Sequence, residues 1–302
     1  MKLTPMKKAN LLLLLVVFFW GLSYLFTKNG LETLPPFTFL ALRFGIGFAV
    51  AALIFIKPLS KINRQTIFGA AILGFFLFLT LAGVYFGLQY TTISNAGFLG
   101  SLTVIFVPIL SAIVYRKLPE KKIIIGSVAA TIGIALLTLE SKGGFGPGDF
   151  ICVLAAVAYA THILIAKRLT SIKEIDALNL GITQLGFTFI YGTICAFLFE
   201  TPHLPTTESA WVSVLFLALF CTAFGFVGQV VAQKYTTPAH VGLIFALEPV
   251  FASIFAYLFA SEQLLPIQVV GAAIVFISVL YVETDLKELH KKQDPKNNTG
   301  NG

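Results

Sequence analysis

Residues 90–109 read YTTISNAGFLGSLTVIFVPI, and residues 235–254 read YTTPAHVGLIFALEPVFASI. Overlaid at a shift of 145 residues, they share Tyr90-Thr91-Thr92 with Tyr235-Thr236-Thr237, Gly97 with Gly242, Leu102 with Leu247, Phe106 with Phe251 and Ile109 with Ile254. The match continues without a gap to Gly126 with Gly271 and Ile132 with Ile277. A fainter echo pairs Trp20-Gly21 with Tyr159-Ala160. The chain therefore reads as two copies of one structural unit, and the surrounding composition identifies the unit.

Apolar residues make up 57% of the 302-residue chain and charged residues only 12%. A soluble domain carries about 25% charged residues, so this chain cannot face water in most directions. The composition excludes a soluble enzyme, a disordered protein and a disulfide scaffold. The three cysteines, Cys152, Cys195 and Cys221, lie inside apolar runs without paired spacing and read as small buried hydrophobes. A helix needs about 20 apolar residues to cross a bilayer. Ten such runs lie at roughly 9–28, 36–56, 67–88, 93–115, 121–139, 149–166, 177–199, 210–232, 239–260 and 266–282. The fold class expected is an all-α integral membrane protein, with a first repeat over 9–139, a second over 149–282 and a disordered cytoplasmic tail over 284–302. Although Lys7 and Lys8 before Leu11–Phe19 imitate a signal peptide, no small-x-small cleavage site follows, so the first run reads as a retained helix.

Basic residues orient the spans. Eighteen of the 21 Lys and Arg fall on the side that carries both termini, and only Lys28 and Lys142 fall on the other; Arg43 lies inside a span. By the positive-inside rule both termini are expected in the cytoplasm of the cell membrane. The net charge of +7 thus reflects orientation, and no nucleic-acid partner is implied. Five spans per repeat is an odd number, so the second copy must be inverted relative to the first. Ten transmembrane helices as two inverted five-helix repeats around a central cavity is the arrangement of secondary transporters.

A substrate site belongs near the midplane, beside interrupted helices. Pro108 and Pro249 lie inside equivalent spans, 4 and 9, and mark the expected interruptions, since proline removes a backbone hydrogen bond. Glu248 is the one acidic residue at mid-span and Arg43 the one basic residue well inside a span. Buried charge needs a partner or water. Three readings stay open: a structural Arg43–Glu248 ion pair, Glu248 in the cavity as proton carrier or amine ligand, or Glu248 protonated within the bundle. The remaining candidates for substrate contact are Trp20, Ser23 and Tyr24 in span 1, Tyr85 in span 3, and Asn95, Ser101 and Thr103 in span 4. To these the second half adds Tyr159 and His162 in span 6, Gln184 in span 7 and Gln229 in span 8. Ser and Thr in such spans commonly bond between helices, and the aromatic residues could equally serve packing.

Taken together, these features resemble the drug/metabolite transporter superfamily, specifically its ten-helix EamA-type permeases. The matching residues are Trp20-Gly21, Pro35-Pro36 leading to Leu42-Arg43-Phe44, Gln89-Tyr90-Thr91-Thr92 and Ala96-Gly97-Phe98-Leu99. In the second half they are Tyr235-Thr236-Thr237, Glu248-Pro249-Val250, Ser261-Glu262 and Gly271. The resemblance implies a cavity lined chiefly by helices 1, 3, 4, 6, 8 and 9, and transport of small metabolites, often export of amino acids or related compounds. The halves differ where Thr103-Val104 stands opposite Glu248-Pro249 and Arg116-Lys117 opposite Ser261-Glu262.

The expected function is alternating-access transport of a small amphipathic metabolite within a lipid membrane. No cofactor or metal is expected, and a proton is a candidate coupling ion through Glu248. A membrane enzyme is disfavoured, because the acids are scattered and neither HExxH nor a Gly-Lys-Ser/Thr phosphate loop occurs. A channel or scramblase-like pore and a non-transporting membrane partner protein are the rival readings.

Overall fold

The computed structural model describes residues 4–91, 93–138, 146–259 and 264–292, and every regular element in them is helical. The first half comprises α1 (Pro5–Leu31), α2 (Pro36–Ile54), the single-turn α3 (Ile56–Leu59), α4 (Arg64–Gly87), α5 (Ile93–Ser101), α6 (Thr103–Tyr115) and α7 (Lys121–Thr138). The second half comprises α8 (Pro147–Thr170), α9 (Ala177–Phe199), α10 (Glu208–Phe216), the π-helical segment Leu217–Phe224, α11 (Gly225–Gln233), α12 (Pro238–Phe245), α13 (Glu248–Phe259) and α14 (Pro266–Lys292). Nine helical stretches among the described residues are long and apolar enough to cross a bilayer, and Pro266–Val282 is a shorter tenth. Helix α14 continues to Lys292, past the boundary at residue 284 where the disordered tail was expected to begin. Leu286, Lys287, Glu288 and Leu289 are good helix formers and extend it. Residues 293–302, together with Lys142, Ser261 and Glu262, lie outside the described residues.

Helix starts follow local chemistry. The side chains of Asn63, Asp176, Thr207 and Thr237 each accept a backbone N–H from the residue three further on, at 2.7, 2.9, 3.3 and 3.3 Å. Each bond satisfies one of the donors that a helix start leaves bare. Glu200 does the same work between helices: its carboxylate accepts Phe37 N–H, Thr38 N–H and the Thr38 hydroxyl, each at 2.8 Å, so the end of α9 caps the start of α2.

Polarity is distributed inside out. Phe197, Leu53 and Phe68 are 74%, 72% and 71% exposed, while Arg43 is only 4% exposed. A lipid environment accounts for apolar side chains outside and polar ones within. Close helix contacts use small residues. A methyl group on Gly133 would stand 2.8 Å from the carbonyl oxygen of Gly271, where α7 meets α14.

The two broken spans match each other more closely than their prolines do. In the second half the break covers Ala246 and Leu247, and Glu248-Pro249 opens α13. In the first half it falls at Leu102, and Thr103 opens α6. Thr103 is the repeat counterpart of Glu248. Pro108 sits inside α6 and does not coincide with the break, contrary to expectation. Hydroxyls stand in for proline there: Ser101 Oγ donates to the Gly97 carbonyl at 2.7 Å and Thr103 Oγ1 to the Gly100 carbonyl at 2.8 Å. Pro249 needs no N–H at the second position of a helix, so its break lies just before it.

Candidate functional site

The broken spans open onto a central cavity of about 140 Å³. Trp20, Ser23, Tyr24, Tyr85, Ser101, Thr103, Tyr159 and Glu248 line it, and so does Arg43. Spans 1, 3, 4, 6, 8 and 9 all contribute, and span 2 adds Arg43. Thr27, Thr80, Phe226 and Phe245 also line it without having stood out in the sequence. The Asn95 side chain lies outside the described residues.

The charged residues are held apart. Arg43 Nε donates to Thr222 Oγ1 at 2.7 Å, and its Nη1 donates to the Tyr85 hydroxyl at 2.9 Å. Glu248 lines the same cavity wall as the Tyr24 hydroxyl. Among the described residues no salt bridge joins Arg43 to Glu248, so the structural ion pair is not formed in this conformation. Tyr85 and Thr222 supply oxygen acceptors close to the guanidinium, which orients it toward the cavity without neutralising it. The result is one basic and one acidic side chain on the wall of a single chamber.

The floor of the chamber faces the side that carries the termini, and it is aromatic. Trp20 lies 4.9 Å from Phe226 and 5.0 Å from Phe245 between ring centroids, and Tyr159 stacks on Phe245 at 6.0 Å. Trp20 Nε1 donates to the Cys221 carbonyl at 2.9 Å, inside the π-helical segment. A π turn leaves backbone carbonyls poorly matched to their own helix and available to a neighbour.

His162, Gln184 and Gln229, expected in the cavity, are fully buried and lie outside its lining, behind this floor. The His162 ring bonds Gln184 Oε1 at 2.9 Å, and the Tyr159 hydroxyl donates to Gln229 Oε1 at 3.0 Å. Tyr159 and His162 are one helical turn apart on α8 and stack at 5.6 Å. One turn of depth separates a residue that lines the cavity from one buried behind its floor. On the opposite face a vestibule continues from the cavity, sharing Tyr24, Thr27, Tyr85 and Leu88 with it and adding Lys28, Glu32 and Gln89. Among the described residues no group of three or more His, Cys, Asp or Glu could hold a metal ion.

Known proteins resemble this chain along most of its length. The sequence profile of the EamA-like transporter family matches residues 7–139 and again residues 146–284. An uncharacterized transporter of Archaeoglobus fulgidus is 30% identical over 276 residues, covering 91% of this chain and 85% of the relative. Uncharacterized transporter YetK of Bacillus subtilis is 25% identical, with 86% and 83% coverage. A crystal structure at 18% identity superposes with a TM-score of 0.78 over 94% of this chain and 99% of the other, and shows that the fold is shared. The chain belongs to the EamA-like transporter family.

Proposed function

We propose that this member of the EamA-like transporter family is an alternating-access carrier of the cell membrane, with both termini cytoplasmic, that exports small zwitterionic metabolites, amino acids or related amphipathic compounds. The observation that carries this reading is the separation of Arg43 from Glu248 across one cavity. A planar guanidinium suits a carboxylate, and a carboxylate ringed by Trp20, Tyr24 and Tyr159 suits an ammonium group. A ligand carrying both charges would neutralise both walls at once, whereas a singly charged ligand leaves one buried charge uncompensated. The aromatic floor favours a carrier over an open pore, because a channel needs a continuous path.

The test is a thermal-shift screen of purified protein against amino acids, amines, nucleosides and sugars, followed by counterflow in proteoliposomes. Stabilisation by zwitterions and saturable counterflow of the same compounds are expected. Stabilisation confined to neutral or singly charged compounds would overturn the substrate class, and non-saturating flux would overturn the carrier.

A further inference from the structure

Lys167 ties α8 to the end of α11 on the face that carries the termini. Its Nζ donates to the carbonyls of Gln233 and Lys234, both at 3.2 Å. These are the last helical residue and the C-cap of α11, so the ammonium sits where helix carbonyls lack partners and the helix dipole is negative. Directly within this closure the Gln233 side chain is fully buried, and neither its amide nitrogen nor its oxygen finds a partner among the described residues. A buried amide left bare on both atoms calls for an explanation. Water reaching it when this face opens supplies one.

The repeat places a second lysine in the same relation on the other face. At the shift of 139 that pairs Trp20-Gly21 with Tyr159-Ala160, Lys28 is the counterpart of Lys167. Each lies three residues before the end of its helix, α1 or α8. At the shift of 145 Leu88 and Gln89 are the counterparts of Gln233 and Lys234, and they follow the end of α4. Here the relation is open. Lys28, Leu88 and Gln89 line the vestibule, Lys28 is exposed, and among the described residues no oxygen accepts from its Nζ.

We propose that Lys167 and Lys28 are a pair of alternating latches: when the vestibule closes, Lys28 caps the carbonyls at the end of α4 as Lys167 now caps those of α11, and Lys167 lets go. One ammonium–carbonyl latch is made in each state, so the two states stay balanced while the barrier between them involves losing one latch before gaining the other. Glu32, one turn beyond Lys28 on the same vestibule wall, is the nearest alternative partner in sequence, although it does not hold the Lys28 ammonium in this conformation. The proposal rests on the carrier reading.

Hydrogen–deuterium exchange of the full chain in lipid nanodiscs tests it, comparing segments 24–34 and 84–91 at the vestibule with segments 160–170 and 229–240 at the opposite face. Lys167→Met is expected to raise exchange at 160–170 and 229–240 and lower it at the vestibule. Lys28→Met is expected to do the reverse, each shifting the ratio of states by about ten- to a hundredfold, the scale of one charge-assisted hydrogen bond. The double variant should return near the wild-type pattern, and Lys28→Arg should keep it. Shifts in the same direction for both single variants, or no shift where wild type exchanges at both faces, would overturn the latches alone. Exchange at the two faces that never varies in opposite senses in any variant would overturn the carrier and the latches with it. Glu32→Gln serves as control, and an effect equal to that of Lys28→Met would make Glu32 the true partner and overturn the latch on α4.

Discussion

Thr103 and Glu248 occupy the same place in the two halves of the molecule: each is the first residue after a break in a membrane helix, and both face one cavity. The hydroxyl is neutral and bonded to the Gly100 carbonyl. Among the described residues Glu248 is the only acid that lines the chamber. A position duplicated in the fold has thus diverged in chemistry, with the carboxyl group confined to the second half.

Replacing Glu248 by Gln keeps its size and polarity but removes the ionisable carboxyl group. Substrate transport in proteoliposomes is expected to fall by at least about tenfold, while the yield of monodisperse protein stays within about twofold of wild type, as for other isosteric changes at lined sites. Equal loss of both would assign Glu248 to folding.

The Thr103→Val variant removes the hydroxyl's bond to the Gly100 carbonyl at the break and its longer contact, 3.5 Å, with the Ala156 carbonyl of α8. A stability loss of about 1 kcal/mol is expected from an unmet carbonyl, read as a lower melting temperature in detergent. Transport should suffer less than in Glu248→Gln.

Arg43 is anchored by Tyr85 and Thr222. A double-mutant cycle of Arg43→Met with Tyr85→Phe should show a coupling of about 1 kcal/mol, exceeding the coupling of Arg43→Met with Glu248→Gln. The opposite order would mean that the guanidinium and the carboxylate pair directly.

Glu200 joins two helices that are 162 residues apart in sequence. Glu200→Ala leaves two backbone donors and one hydroxyl of α2 bare, and should cost about 2 kcal/mol in the same melting assay. Glu200→Gln, which retains an acceptor, should cost less.

At Gly133 any side chain meets the backbone of α14, since the Gly271 carbonyl is 2.8 Å from where a Cβ would stand. Gly133→Val should cost at least about 2 kcal/mol by overpacking. A neutral melting temperature would show that α7 and α14 separate easily.

The spans, their order and the duplication were legible because apolar length and repeat identity are local properties of the sequence. The cavity residues Trp20, Tyr24, Tyr159 and Glu248 were legible because a polar or amphipathic side chain at mid-span must find a polar neighbour or water. Depth along a helix was not. His162 and Gln229 are as polar as the cavity residues, yet they sit one layer behind the floor, and only the tertiary packing of α8 against α11 decides that. The partners of Arg43 were equally hidden, since Thr222 lies 179 residues away and reaches it through a π-helical turn. Pro108 misdirected the reading because proline permits a break without requiring one, whereas Ser101 and Thr103, read as substrate contacts, satisfy the backbone where the break falls.

The π-helical segment Leu217–Phe224 sets a constraint of a different kind. Each of its turns takes in an extra residue, so the angular phase of everything downstream depends on how many residues it contains. Deleting one residue there would let an ordinary ladder close and would swing Phe226, Gln229 and Gln233 about the axis by about 45°, the difference between eight wide-turned residues and seven α-helical ones. The chamber would lose its base although every residue forming that base was still present. In this stretch of the chain it is the spacing, more than the identity of any side chain, that the architecture cannot give up, and single-residue insertions or deletions should prove costlier than substitutions.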